Sequence, residues 1–329
     1  MLNALSLLGP SRCGKSAAIP LVTAAKNIEL PFNTPDLDWY IDAYCSGDIS
    51  ADAASRLAAS YMLCYSWYGY LGRHINLRTS DYYSQQNMMP KIDLKLRHDR
   101  ADKDYEFKKY MELNDSQNTW NVFLWELPPE VYESLNVNFP VKANPIYIYR
   151  SPYYLFTSWV SSNRVARSKT LSRMFKYEAT KNLQHSDLKP LFMETRTDNE
   201  FVWKDGKYTY FDFQFNDVSI SKEEESVLNK LVRQNKAEAS YWSRQDMMVT
   251  YESIVSDPDR FVTYLRDRFR IEFDEETLEK GIRMMDKRPL EQVIELDLAK
   301  VEQSLSNLGC EDSTVQLILD EQKNYINEL

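Results

Sequence analysis

The stretch that most constrains this chain is Gly9-Pro10-Ser11-Arg12-Cys13-Gly14-Lys15-Ser16. It follows the apolar run Ala4-Leu5-Ser6-Leu7-Leu8 and precedes Ala17-Ala18-Ile19-Pro20-Leu21-Val22. That order reads as strand, glycine loop, helix. The spacing meets the P-loop pattern of Gly, four residues, Gly-Lys-Ser. The physics is anion binding: N–H groups at a helix start point outward, and the helix dipole adds partial positive charge. Gly9 and Gly14 allow backbone angles and a close approach that side chains would block. Arg12 and Lys15 add full charges. The plainer alternative is an ordinary strand-to-helix turn, but the pattern and its flanks point to a phosphate-bearing ligand.

Acidic residues outnumber basic ones, 49 to 40, for a net charge of −9. This argues against a non-specific nucleic-acid binder, which would be basic. Glycine is scarce, with 8 in the chain and two of them in the first loop, which sharpens the meaning of that loop. The 22 tyrosines and 7 tryptophans exceed what a simple core needs, so some are available to line a pocket; most are ordinary packing residues. Cys13, Cys45, Cys64 and Cys310 form no C-x-x-C pair. No zinc spacing is present, and no metal is expected. This usage suits a reduced, cytoplasmic chain. Cys13 lies in the anion loop, where a thiol is either activated or simply fills a tight turn. No signal peptide or membrane-spanning run is expected.

Along the chain, residues 14 to 27 read as a helix bent at Pro20. Residues 50 to 75 carry helical spacing, with Ser50 as N-cap. Residues 84 to 118 read as a polar, mobile insertion or a solvated helix around 102 to 113. Asn121–Trp125, Pro145–Tyr149 and Met247–Tyr251 are strand candidates. Helices are expected at 129 to 136, from Tyr153 to Arg167, at 221 to 244, and from Pro258 to Arg268. Residues 198 to 215 suggest a β-hairpin turning at Lys204-Asp205-Gly206-Lys207. The tail from 274 to 329 reads as helical. Short strands separated by helices predict an α/β fold: a three-layer sandwich with a central parallel sheet and P-loop, helices on both faces, in a single domain over 1–329. Ligands on such sheets bind at the carboxyl ends of the strands. Three segments fall there: the loop at 9 to 16, Glu126 and Arg150.

These segments, in this order, resemble the sulfotransferase family, whose members move a sulfuryl group from 3′-phosphoadenosine-5′-phosphosulfate (PAPS) to an acceptor hydroxyl or amine. Arg12-Cys13-Gly14-Lys15-Ser16 resembles the family's 5′-phosphosulfate loop. Arg150-Ser151-Pro152-Tyr153-Tyr154-Leu155-Phe156-Thr157-Ser158 is similar to its strand-ending Arg with a Ser eight positions on, which grip the 3′-phosphate. Val249-Thr250-Tyr251-Glu252-Ser253-Ile254-Val255-Ser256-Asp257-Pro258 resembles its Tyr-Glu-Asp-Leu-x-x-x-Pro segment, mainly structural there. Glu126-Leu127-Pro128 is similar to the step before which many relatives carry a His or Glu as general base. The match runs from about 5 to 270. Two departures stand out. Lys15 sits where the family usually has Thr, and the Arg-Lys-Gly-x-x-Gly-Asp-Trp segment of the hormone-and-phenol branch is absent.

The resemblance implies PAPS as donor and adenosine 3′,5′-bisphosphate as product. Arg12, Cys13, Gly14, Lys15, Ser16, Arg150 and Ser158 would bind the nucleotide. Lys15 or Arg12 would neutralise the leaving phosphate during in-line displacement, and Glu126 would take the acceptor proton. His98 is the rival base, in a charged segment that also suits a surface histidine. The resemblance does not reach the acceptor; aromatic residues at 198 to 215 and around 153 to 159 suit stacking on a sugar or an arene, so the expected acceptor is a carbohydrate or small-molecule hydroxyl. Two other readings are open: a P-loop kinase or NTPase using magnesium-ATP, and a non-catalytic nucleotide-binding protein. The first needs a magnesium-binding Asp at a second strand end, and none is convincing in the sequence.

Overall fold

The apolar run ahead of the glycine loop forms β1, Leu2–Leu8, buried along nearly its whole length. Near-continuous burial is what a strand inside a parallel sheet requires. In the computed structural model, which describes residues 1–10, 13–26, 28–33, 35–45, 47–71, 107–116, 119–125, 127–160, 220, 222–285 and 297–328, β1 is the middle of five strands. β2 is Ile28–Asn33, β3 Trp120–Leu124, β4 Val141–Tyr149 and β5 Met248–Thr250. The order is β2-β3-β1-β4-β5, and every pairing is parallel. Leu5 lies beside Val122 on one flank and Asn144 on the other; Leu7 lies beside Leu124 and Ile146. The chain is therefore an α/β protein.

Among the described residues, eight helices fill in around these strands up to residue 256: α1 Lys15–Val22, α2 Pro35–Cys45, α3 Ala51–Tyr70, α4 Phe107–Ser116, α5 Pro129–Asn138, α6 Pro152–Val160, α7 Lys222–Arg244 and α8 Tyr251–Ser256. Four more follow: α9 Pro258–Phe269, α10 Glu275–Met285, α11 Leu298–Asn307 and α12 Asp312–Glu328. Ser50 caps α3 as expected, its Oγ accepting from the Ala53 N–H at 3.2 Å. The helix expected at 14 to 27 is shorter, because Pro20 removes a ladder donor near its end. Thr23 closes it instead, donating from Oγ1 to the Ile19 carbonyl at 2.9 Å.

β2 and α2 are not among the expected elements. Pro31 breaks the strand pattern, and the register of β2 against β3 shifts between Glu29 and Phe32, the interval that contains it. Proline is tolerated there because β2 is an edge strand. Pro145 in β4 is accommodated differently. The Tyr147 N–H donates toward β5, to Met247 O at 2.7 Å. Two residues earlier, the nitrogen of Pro145 faces the same side before β5 begins, so no ladder bond is lost. The strand expected at 247 to 251 ends at Thr250, where α8 starts at once: the Thr250 hydroxyl accepts from the Ser253 N–H and turns the chain. The hairpin expected at 198 to 215 and residues 161 to 167 of the expected helix lie outside the described residues. Of the polar stretch at 84 to 118, the described part is α4 alone.

Two compact units are distinguished. The first comprises Met1–Tyr149 and Glu238–Ile294, and holds the sheet. Its main cluster joins Leu5, Leu7, Val122, Ile146 and Ile148 of the strands to Ala17, Ala18 and Leu21 of α1 and to Ile254, Val262 and Leu278. α10 lies close on α1: a Cβ at Gly281 would sit 2.6 Å from the Pro20 carbonyl oxygen. The second unit comprises Arg150–Ala237 and Glu295–Leu329. Among its described residues the core is helical, built from Leu155, Phe156 and Trp159 of α6, Leu228 and Val232 of α7, Val301 and Leu305 of α11, and Ile318 of α12. Among the described residues no helix is long and apolar enough to cross a membrane.

Candidate functional site

The glycine loop leaves the carboxyl end of β1 and enters α1 without a side-chain cap. Gly9 has φ 124° and Gly14 has φ 106°, both in the region that side chains disfavour. Each also lacks room for a Cβ. At Gly9 it would lie 2.8 Å from both Cys13 Sγ and the Ile148 carbonyl oxygen. At Gly14 it would lie 2.1 Å from Cδ2 of Tyr251. The loop is thus held between the backbone of β4 and the ring that opens α8. This is the physical content of a glycine at each end of the motif.

Within the loop, the Cys13 N–H donates to the Pro10 carbonyl at 3.1 Å, and the Ala17 N–H to Gly14 O at 2.7 Å. Helix geometry leaves the N–H groups of Gly14, Lys15 and Ser16 without intrahelical acceptors, and no acidic residue stands in the first turn. These three donors, at the positive end of α1, form the part of the loop suited to a tetrahedral anion. Lys15 folds back over the loop, its Nζ donating to the Gly9 carbonyl and, at 3.4 Å, to that of Pro10. One ammonium therefore ties the two ends of the motif together. Cys13 is fully buried in the main cluster of the sheet unit, with Sγ 3.9 Å from Leu8 O. Its role here is packing. Cys310, in the other unit, is held protonated: burial and the neighbouring Glu225 push its thiol up to about 12.

Arg12, Glu126 and His98 lie outside the described residues. The residues either side of Glu126, Trp125 and Leu127, are buried, and the Trp125 N–H donates to Leu7 O at 3.3 Å. β3 therefore stays beside β1 up to the residue before Glu126.

Arg150 and Ser158 belong to the second unit. Arg150 follows the last residue of β4 and is partly exposed; Ser158 is partly exposed in the last turn of α6. The start of α6 between them is closed by side chains. Ser151 Oγ accepts from the Tyr154 N–H at 3.4 Å and donates to Gln322 Oε1 at 2.7 Å. Gln322 Oε1 also accepts from the Tyr153 N–H at 3.2 Å. Asn235 Nδ2 donates to the Arg150 carbonyl at 3.4 Å.

The structure thus brings together Gly9, Cys13, Gly14, Lys15 and Ser16, and adds Tyr251, whose contact with Gly14 the sequence does not announce. Ser151 and Gln322 are also additions. The Ser-Pro pair at 151 and 152 carries the signal of an N-cap followed by a helix-starting proline. Gln322 carries none. An open cleft of about 520 Å³, lined by Lys26, Arg266, Arg270, Glu272 and Glu275, lies past the far end of α1 from the loop. Two of its three cations are paired within it, Lys26 with Glu272 and Arg266 with Glu275, and it is open, so the loop is the better anion site. No protein-family profile and no curated protein matches the chain.

Proposed function

We propose that the protein is a PAPS-dependent sulfotransferase acting on a hydroxyl or amine of a carbohydrate or small-molecule acceptor. The observation that carries this reading is the contact between Gly14 and Tyr251. Two of the four segments that resemble the family, far apart in sequence, meet at the anion loop. In this reading the loop is a P-loop, the parallel sheet is the middle layer of a three-layer sandwich, and the chain is cytoplasmic. The all-parallel strand order supports the first two parts, and the absence of any C-x-x-C spacing among the four cysteines supports the third.

The N–H groups of Gly14, Lys15 and Ser16 hold the 5′-phosphosulfate, and Lys15 with Arg12 offsets the charge that grows on the leaving phosphate. The acceptor oxygen forms its bond to sulfur as the bond from sulfur to the bridging oxygen breaks. Glu126 takes the acceptor proton, and adenosine 3′,5′-bisphosphate departs. Arg150 and Ser158 take the 3′-phosphate. A magnesium-ATP-dependent kinase shares the loop pattern, but β3 runs out through Leu124-Trp125-Glu126 with no Asp to hold the metal.

Thermal stability with ligand tests the proposal. Adenosine 3′,5′-bisphosphate at a hundred times its dissociation constant adds about 2.7 kcal/mol, a shift of several degrees. Stabilisation by the bisphosphate without metal is the expected result, followed by turnover of PAPS that Glu126→Gln abolishes. Stabilisation by magnesium-ATP alone would move the assignment to a kinase. Binding of the bisphosphate with no turnover across acceptors would leave a nucleotide-binding protein.

A further inference from the structure

We infer that Gln322, on the C-terminal helix α12, is a positioning residue for the recognition of a nucleotide 3′-phosphate by Arg150 and Ser158. The inference rests on the function proposed above. It concerns a residue beyond the segments that resemble the family, which end near 270.

The argument is an accounting of donors at the start of α6. A helix start offers free N–H groups, and these commonly bind phosphate. At α6 those from Pro152 to Leu155 are not available. Pro152 has no N–H. The Tyr153 N–H goes to Gln322 Oε1, the Tyr154 N–H to Ser151 Oγ, and the Leu155 N–H to Ser151 O at 2.8 Å. An anion at this junction is therefore held by side chains, and those of Arg150 and Ser158 must stand at a fixed spacing. Their spacing is set by the first turn of α6 and by its junction with Arg150. Gln322 is 1% exposed, and its single oxygen receives both the Ser151 hydroxyl and the Tyr153 N–H. Asn235, also 1% exposed, holds the Arg150 carbonyl. Two buried amides, one on α12 and one on α7, thus fix the residues that flank the turn. A buried polar side chain with its hydrogen bonds made is costly to disturb, which is what makes it a stiff support.

The test compares binding of adenosine 3′,5′-bisphosphate with adenosine 5′-phosphate, which lacks the 3′-phosphate, by calorimetry on the full chain. The wild type should favour the bisphosphate by about ten- to a hundredfold, the range of one or two charge-assisted hydrogen bonds. Gln322→Met should cut that preference by about tenfold and leave the affinity for the monophosphate within about twofold. If Gln322→Met does not fold, Ser151→Ala serves, since it removes one of the two donors to the same oxygen; it should cut the preference several-fold. Where both fold, the double variant should lose less than the two losses combined, because both act on one contact. A folded Gln322→Met or Ser151→Ala variant that keeps the full preference overturns the inference, as does equal weakening of both nucleotides, which marks a general loss of structure. A wild type with no preference overturns the role of Arg150 and Ser158 itself.

Discussion

Two junctions in this molecule follow the ends of neighbouring parallel strands and lead into helices, and they solve the helix-start problem in opposite ways. After β1, the chain turns through two glycines at positive φ, and Gly14 opens α1 with no side-chain cap. After β4, Ser151 and Gln322 consume the first donors of α6. The first junction keeps its N–H groups available and gets its shape from close packing, with Tyr251 and the Ile148 carbonyl as walls. The second gets its shape from hydrogen bonds and gives its N–H groups up. An anion can be bound by backbone at the first and only by side chains at the second. The difference gives the proposed phosphate contacts their division of labour.

The sharpest way to break this comparison is to add one methyl group. Gly14→Ala places a Cβ inside the Tyr251 ring and at a φ that L-residues avoid. Overpacking and backbone strain together should cost about 3–5 kcal/mol in urea unfolding. Gly14→Ala in a Tyr251→Ala background should cost markedly less than in the wild type, since only the strain remains. Equal penalties in both backgrounds would show that the ring does not shape the loop.

Lys15 tests what the open junction is for. Lys15→Met should weaken adenosine 3′,5′-bisphosphate binding about 10- to 100-fold, through loss of a charge-assisted contact. It should also lower stability by about 1 kcal/mol, because Nζ ties the Gly9 and Pro10 carbonyls. A variant with unchanged affinity and lowered stability would make Lys15 a structural tie only.

The contrast also explains what the sequence made legible. The first junction was readable because its device is local: two glycines, a lysine and a serine at fixed spacing between an apolar run and a helix. The strands expected at 121 to 125 and 145 to 149 were readable from apolar runs with turn residues beyond them, whereas the first four residues of β4, Val141-Lys142-Ala143-Asn144, alternate apolar with polar residues and were not. β2 was not, because Pro31 argues against a strand unless one knows that the strand is an edge. Gln322 and the Tyr251 ring were not readable either. Each acts across more than 160 residues of chain, Gln322 on Ser151 and Tyr251 on Gly14, and nothing in local spacing encodes such a contact. Pattern reading finds devices made of neighbours and misses those made by tertiary packing.

A smaller effect separates the walls of the loop from its floor. Tyr251 is the first residue of α8, and the helix start is fixed by the Thr250 hydroxyl on the Ser253 N–H at 3.2 Å. Thr250→Ala should cost about 1 kcal/mol, the ordinary loss of an N-cap. If the loop depends on that cap for its wall, Thr250→Ala should also weaken bisphosphate binding about two- to threefold, and Thr250→Ser should restore both. Loss of stability with affinity intact would show that packing alone keeps the ring in place.

The least effect is one of pH, and it marks a third kind of helix start. Asp274 caps α10 with a carboxylate: Oδ1 accepts from the Thr277 hydroxyl at 2.7 Å and from the Thr277 N–H at 2.9 Å. Those bonds, the hydroxyl's first, hold its carboxyl below the usual aspartate range. A carboxylate lowered in the folded state contributes stability that is present above its unfolded pKa and lost as pH falls through the folded value. Asp274→Asn keeps a capping oxygen and removes the charge. The advantage of the wild type over Asp274→Asn in urea midpoint should therefore be largest near neutrality. It should shrink as pH falls below the ordinary aspartate value near 3.9. The penalty of Gly14→Ala should stay level across the same range, because no titrating side chain caps that junction. A difference between wild type and Asp274→Asn that does not change with pH would mean that the charge on the cap contributes nothing, and that α10, like α1, is started by packing.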